Sequence, residues 1–280
     1  MPASVLLTRR KIALVAARHS VVFLPGSVLP AEPAYAALLQ VLDEKRVHAV
    51  AKDLEVYATD RPPPDFSLGT EVEGILREAD AHGFDRFHLV GYSGGGASSL
   101  AFAAAHGERL LSQELLEPAW AGNERTPVEE ALMQRFRALE SLPHDQFMAG
   151  FVGLQLASGV EPPPPPDGPP PPWMVKRPAG VRAFLDAFDN GDLDVEALGA
   201  FDRPVYFALG GLSNRDYFGG IADRLAAIFP DFTIETFPER HHFDPPHRVE
   251  PEGLSASLLA LWERAATSVA SPSSPSGDQQ

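Results

Sequence analysis

The sequence has no cysteine in 280 residues. That absence excludes disulfides, a thiol nucleophile and thiolate metal sites together. No stretch approaches the roughly 20 uninterrupted apolar residues of a membrane-spanning helix, so no membrane span is expected. Basic residues are scarce, with 23 Lys and Arg against 38 Asp and Glu and a formal net charge of −15. A field of that sign repels nucleic acid and anionic membrane surfaces, and neither is an expected partner. Arg9, Arg10 and Lys11 before Ile12–Ala17 imitate the start of an export signal. The apolar run is cut by Arg18 and His19 and leads into a core strand, so export is not expected and the cytoplasm is the default compartment. No internal repeat is present.

What is there suits one large α/β domain, or one core that carries an inserted cap, with 44% hydrophobic residues. Val21–Leu24 reads as a buried strand, stopped by Pro25-Gly26-Ser27 before a helix over Ala31–Leu42. Val47–Ala51 is a second strand, followed by a polar loop at Arg61-Pro62-Pro63-Pro64. Thr70 and Glu73 have the spacing of a capping box, which predicts a helix from Thr70 that buries Val72, Ile75 and Leu76. Phe87–Val90 is a third strand, and Glu114–Glu117 ends a fourth. Strands alternating with helices predict a mainly parallel central sheet flanked by helices.

The alternation breaks after Trp120. Helical pieces at Val128–Leu142 and Gln146–Leu156 lead into Pro162–Pro172, where nine of eleven residues are proline. Such a run is neither helix nor central strand and reads as a stiff connector. Residues 120–200 are therefore expected to form an inserted, mostly helical cap, because so long a structureless connection is unusual in a compact domain. Strands resume at Pro204–Leu209 and Phe232–Phe237, and a last helix covers Pro251–Ala266. The core thus comprises residues 1–119 and 201–267, with 268–280 a disordered Ser/Pro/Gly/Gln-rich tail.

The most informative stretch is Gly91-Tyr92-Ser93-Gly94-Gly95-Gly96, set between the strand Phe87–Val90 and the Ala-rich helix Ala97–His106. G-x-S-x-G in that setting is the signature of a nucleophile elbow, where a serine hydroxyl stands at the apex of a sharp turn. A serine hydroxyl needs a histidine to take its proton, and a carboxylate to orient that histidine. His241 and His242 follow the last strand, and Asp216 follows the strand before it. The cluster His241, His242, Asp244 and His247 lacks metal-site spacing, and neither metal nor cofactor is expected. The N–H of Gly94, next after the serine, is a candidate oxyanion donor.

On these residues the chain resembles a capped member of the α/β-hydrolase superfamily, the fold of esterases, lipases, thioesterases and lactonases, from about Val21 to Ala266. The resemblance implies Ser93 as nucleophile, His242 as base with His241 as the alternative, and Asp216 as acid with Glu117 as the alternative. Asp216 departs from the family spacing, since counting from Gly210 or Gly211 to the usual acid lands on Ser213 or Asn214. The resemblance also places a second oxyanion donor at Ser27, with Pro25 where relatives often carry histidine. Tyr92, Trp120, Phe151, Trp173 and Met174 are candidates to line an apolar site for a small acyl substrate. Ser93 in place of an aspartate argues against epoxide-hydrolase and dehalogenase chemistry. Ester, thioester or lactone hydrolysis is the expected reaction. Acyl transfer, C–C hydrolysis, perhydrolysis and a non-catalytic binding role stay open, as does the oligomeric state.

Overall fold

The structure, a computed structural model, describes residues 18–44, 46–164 and 168–270. The leader-like stretch at residues 9–17 and most of the tail lie outside the described residues. The elements run β1 (His19–Leu24), α1 (Ala31–Val41), β2 (Val47–Ala51), α2 (Leu68–Ala81), β3 (Phe87–Tyr92), α3 (Gly94–His106) and β4 (Leu110–Leu116). Four helices come next: α4 (Pro127–Leu139), α5 (His144–Leu154), α6 (Arg177–Asn190) and α7 (Val195–Gly199). The chain then returns through β5 (Val205–Gly210), α8 (Gly220–Ile228), β6 (Phe232–Phe237), α9 (Pro246–Val249) and α10 (Pro251–Ala270).

The six strands form one sheet in the order β2-β1-β3-β4-β5-β6, with every neighbouring pair parallel. Side chains alternate across it with the period of two that a strand imposes. Val21, Phe23, Val90, Leu116 and Ala208 face a core shared with α1 and α10, including Leu38, Leu258 and Trp262. Val22, Leu24, Leu89, Leu115 and Phe207 face the opposite core with α2 and α3, including Ile75 and Leu100. Both faces are covered, which is why these strands read as apolar runs rather than polar-apolar alternations. The edge strand β6 is the exception, with Thr233, Ile234 and Thr236 less buried than the central strands.

The order places a topological switch between β1 and β3. After β1 the chain steps outward to β2, then returns to the other flank of β1. The loops after β1 and β3 therefore diverge, and a crevice opens at their carboxyl ends. Helix α2 begins at Leu68, two residues before Thr70. Ser67 is its N-cap, and Thr70 Oγ1 accepts from the Ser67 N–H at 3.3 Å. The hydroxyl at Thr70 reaches back to the cap rather than serving as one. Helix α10 runs to Ala270, beyond the expected start of the tail at 268.

The segment between β4 and β5 carries the helices α4 to α7. Thr126 caps α4, and Glu129 returns the bond to the Thr126 N–H at 2.8 Å. Glu129 also holds Arg224 of α8 at 2.6 Å, tying the insertion to the core. Leu132 and Phe136 of α4, Phe147 and Phe151 of α5, and Phe184 and Phe188 of α6 join the hydrophobic core on the α2/α3 side of the sheet.

One buried carboxyl lies within the sheet itself. Glu114, fully buried on β4, accepts from Trp262 Nε1 at 3.0 Å and from Ser112 Oγ. Burial pushes its pKa up to about 8, against the opposing pull of those two bonds. The native state thus keeps a proton that an unfolded glutamate releases near its ordinary value of about 4.3. Unfolding releases it between those two values, so stability falls as pH rises through that window and the loss is complete above it. Glu114→Gln mimics the protonated form. It is expected to raise Tm by several degrees at pH 9 and to leave it unchanged at pH 4.5, measured by thermal denaturation. An equal gain at both pH values would contradict this titration.

Candidate active site

Strand register builds the site. Tyr92 on β3 pairs with Leu116 on β4, so Ser93 and Glu117 leave the sheet side by side. The Ser93 N–H donates to Leu116 O at 3.1 Å, and the Ala119 N–H donates to Ser93 O at 2.9 Å. Ser93 has φ 52° and Glu117 φ 47°, both in the left-handed region that side chains rarely adopt. Such a backbone turns the Ser93 hydroxyl out of the turn between β3 and α3. The neighbouring glycines are required by close approach: a Cβ on Gly91 would lie 2.5 Å from Gly95 O, and one on Gly95 would lie 2.5 Å from Pro25 O.

Ser93 Oγ lies 3.0 Å from His242 Nε2, and His242 Nδ1 lies 2.9 Å from Glu117 Oε2. All three side chains are nearly closed off, at 5%, 1% and 4% exposure. Glu117 spends its other oxygen on the Gly210 N–H at 2.7 Å, which fixes the carboxylate against β5. With Nδ1–H donating to Glu117, Nε2 carries a lone pair toward the serine hydroxyl, the tautomer a base requires.

Asp216 stands elsewhere. It belongs to a π-helical turn at Arg215–Gly219, is exposed, and its N–H donates to Asn214 Oδ1. The expectation of Asp216 behind the histidine is corrected to Glu117. The reason is geometric: Glu117 leaves β4 beside Ser93, whereas Asp216 comes six residues after the end of β5, past the close approach. The turn does contribute through Phe218, whose ring stacks on His242 at 4.4 Å and 15°.

His241 is directed into its own loop, where its Nδ1 accepts from the Phe243 N–H at 3.1 Å. His242 is held from three sides. Tyr92 Oη donates to its carbonyl oxygen, the Tyr92 ring lies 5.0 Å from the imidazole, and Phe218 covers the other face. Tyr92 therefore braces the base and does not line the cavity, a correction to its expected place in the substrate wall. His247, fully buried between Tyr35 and Tyr92, is held neutral. Burial first, then the nearby Arg248 and His242, lower its pKa to about 3.

A small cavity of about 20 Å³ lies beside the turn that carries Ser93, with Ser27 and Phe184, the neighbours of Gly94, in its lining. Ser27, Ala119 and Tyr217 form its core side, and Phe136, Phe151 and Phe184 belong to the insertion. A Cβ placed on Gly94 would stand 2.6 Å from Ser27 Oγ and 3.6 Å from Phe184, so the loop after β1, the start of α3 and α6 converge there. Of the five residues expected in an apolar wall, Phe151 lines the cavity. Trp120 stands one layer back, its ring 5.9 Å from Phe188 of the wall. Trp173 and Met174 lie in a half-exposed 3₁₀ turn, with Trp173 against the Arg177 guanidinium, and neither lines the cavity.

The Gly94 N–H opens α3 and so has no carbonyl four residues earlier within the helix. Ser27, on the loop after β1, packs beside Gly94. The Ser27 loop is fixed from behind by a residue that sequence reasoning passed over. Tyr57 Oη donates to Ser27 O at 2.6 Å, and the Arg177 guanidinium of α6 covers the Tyr57 ring at 3.9 Å. Tyr57→Phe keeps the ring and deletes the bond. A roughly 5- to 10-fold fall in kcat with KM little changed is expected in steady-state ester assays, the value of about one hydrogen bond.

The fold recurs in known proteins. The model of the alpha/beta hydrolase family matches residues 21–256, and the chain belongs to that family. No curated protein matches it by sequence. Among solved structures, it is similar to a bacterial membrane phospholipase A at 21% identity and TM-score 0.64, over 89% of this chain and 80% of that one. It is similar to a thermophilic esterase from Thermogutta terrifontis at 15% identity and TM-score 0.65, over 90% of this chain and 92% of that one. A proline iminopeptidase from Mycobacterium smegmatis matches at 17% identity and TM-score 0.60, over 90% and 91%. At these identities the likeness is one of fold.

Proposed function

We propose that the protein is a serine hydrolase that cleaves a small carboxylic ester, thioester or lactone through an acyl-enzyme. The observation that carries this reading is the continuous chain from Ser93 Oγ through His242 to Glu117, at 3.0 and 2.9 Å, near a small apolar cavity. Ser93 Oγ attacks the substrate carbonyl while His242 Nε2 takes its proton. Glu117 holds the imidazolium that forms. The tetrahedral oxyanion is received by the N–H groups of Gly94 and Ser27, fixed donors in a site screened from water. His242 then protonates the leaving group, and the acyl chain stays in the cavity on Ser93. A water molecule, deprotonated by His242, releases the acid. The 120–200 insertion acts as the cap that closes this space and sets which acyl group fits.

The test is pre-steady-state kinetics with p-nitrophenyl acetate and propionate. A burst of p-nitrophenol close to one equivalent of enzyme, followed by slower turnover, is the expected result. Folded protein that gives neither burst nor turnover would contradict the proposal. Added alcohol acceptors separate hydrolysis from acyl transfer in the same assay.

A further inference from the structure

Gln155 lines the cavity and has no part in the reaction above. It follows the last residue of α5 and is 2% exposed. Its Nε2 donates to Phe151 O at 2.9 Å, which answers a carbonyl left open by the end of the helix. That bond fixes which end of the carboxamide is oxygen. Its main-chain carbonyl accepts from the Asn214 N–H at 2.9 Å, so the residue is anchored to the loop after β5 as well. The carboxamide oxygen receives no donor from the described residues. The residue that carries it is one of those that line the cavity. A free acceptor among phenylalanine walls is unfavourable unless something donates to it.

We propose that this oxygen receives a hydrogen bond from the acyl group of the substrate, and that the protein selects short hydroxyacyl esters. The proposal rests on the reading of Ser93 as the acylated residue. Size limits the chain: the cavity is small, about 20 Å³, and favours a short acyl group. Charge selects the donor. Among the described residues no carboxylate lines the cavity, so an ammonium would be desolvated there without a partner, whereas a hydroxyl donates while remaining neutral. A plain acyl chain of the same length leaves the Gln155 oxygen unanswered, which is how a site built for a hydroxyl rejects its deoxy analogue.

The experiment uses full-length Ser93→Ala protein, which holds an ester without turnover, titrated by NMR with methyl lactate, methyl propionate and alanine methyl ester. Lactate is expected to bind about 10-fold more tightly than propionate, and the alanine ester more weakly than lactate. Equal affinities for lactate and propionate would overturn the proposal, and an alanine ester that binds more tightly than lactate would overturn the choice of hydroxyl. Adding Gln155→Met should bring the lactate-to-propionate ratio to about one. Adding Gln155→Glu, which keeps an acceptor but loses the bond to Phe151, should preserve the preference. A preference that survives Gln155→Met, or is lost in Gln155→Glu protein with a native circular dichroism spectrum, counts against Gln155 as the reader. Fluorophosphonate labelling of Ser93 in the wild type reports separately on the hydrolase reading. Equal affinities with labelling intact therefore reject the subsite alone.

Discussion

Ser93→Ala is expected to reduce kcat for p-nitrophenyl esters by roughly 10⁴- to 10⁶-fold, to the residual level that binding and the oxyanion donors supply. Nothing beside His242 can replace the lost oxygen: its Nε2 faces Ser93, and Phe218 and Tyr92 cover its ring. The fold should survive, because the alanine removes one oxygen at a site whose main-chain bonds run from Ser93 N–H to Leu116 and from Ala119 N–H to Ser93. Thermal denaturation within a few degrees of wild type would separate lost chemistry from lost structure. Retention of more than about a tenth of the wild-type kcat would remove Ser93 from the role of nucleophile.

Glu117→Gln is expected to lower kcat by roughly 10²- to 10⁴-fold at neutral pH. The amide oxygen can keep the bond to the Gly210 N–H that Glu117 Oε1 now accepts. The amide nitrogen then stands where Oε2 meets His242 Nδ1, and it can only donate. Nδ1 must accept, the proton moves to Nε2, and the histidine faces Ser93 with no lone pair. Asp216→Asn, on an exposed turn with no bond to His242, is expected to stay within about 2-fold of wild type. Steady-state assays of both variants test the assignment. The reverse ranking, a large loss at Asp216 and a small one at Glu117, would restore the acid that chain order favours.

Local chemistry made part of this site legible in the sequence. A G-x-S-x-G between strand and helix requires small residues at fixed places, and Gly91 and Gly95 meet backbone oxygens where any side chain would collide. The β/α alternation and the helical insertion were readable for the same reason, since their periodicities are written residue by residue. What depends on strand register was not readable. Glu117 lies beside Ser93 because Tyr92 pairs with Leu116, and a linear sequence does not display that pairing. Chain order favoured Asp216, whereas the π-turn that carries it turns Phe218 toward His242 and leaves the carboxylate in solvent.

Aromatic residues were misread in a related way. Tyr92, next to the nucleophile, suggested a pocket wall, but side chains alternate along β3 and its ring falls on the side of the sheet with His247 and Tyr35. Trp173 follows the proline run in sequence and stays with it at the surface. The wall comes instead from Phe136, Phe184 and Phe188, spaced along the apolar stripes of α4 and α6. Only the packing of α4 and α6 against the core brings them to one cavity. Tyr57 and Gln155 carried no signal at all, since each acts through one hydrogen bond to a distant or terminal main-chain group.

The most direct measurement of the central claim is the site of covalent modification by a small fluorophosphonate, located by mass spectrometry of the digested protein. The account predicts a single adduct on the peptide that contains Ser93, absent from Ser93→Ala and strongly slowed in Glu117→Gln. An adduct on another residue, or folded wild-type protein that remains unmodified while a control serine hydrolase reacts, would contradict it.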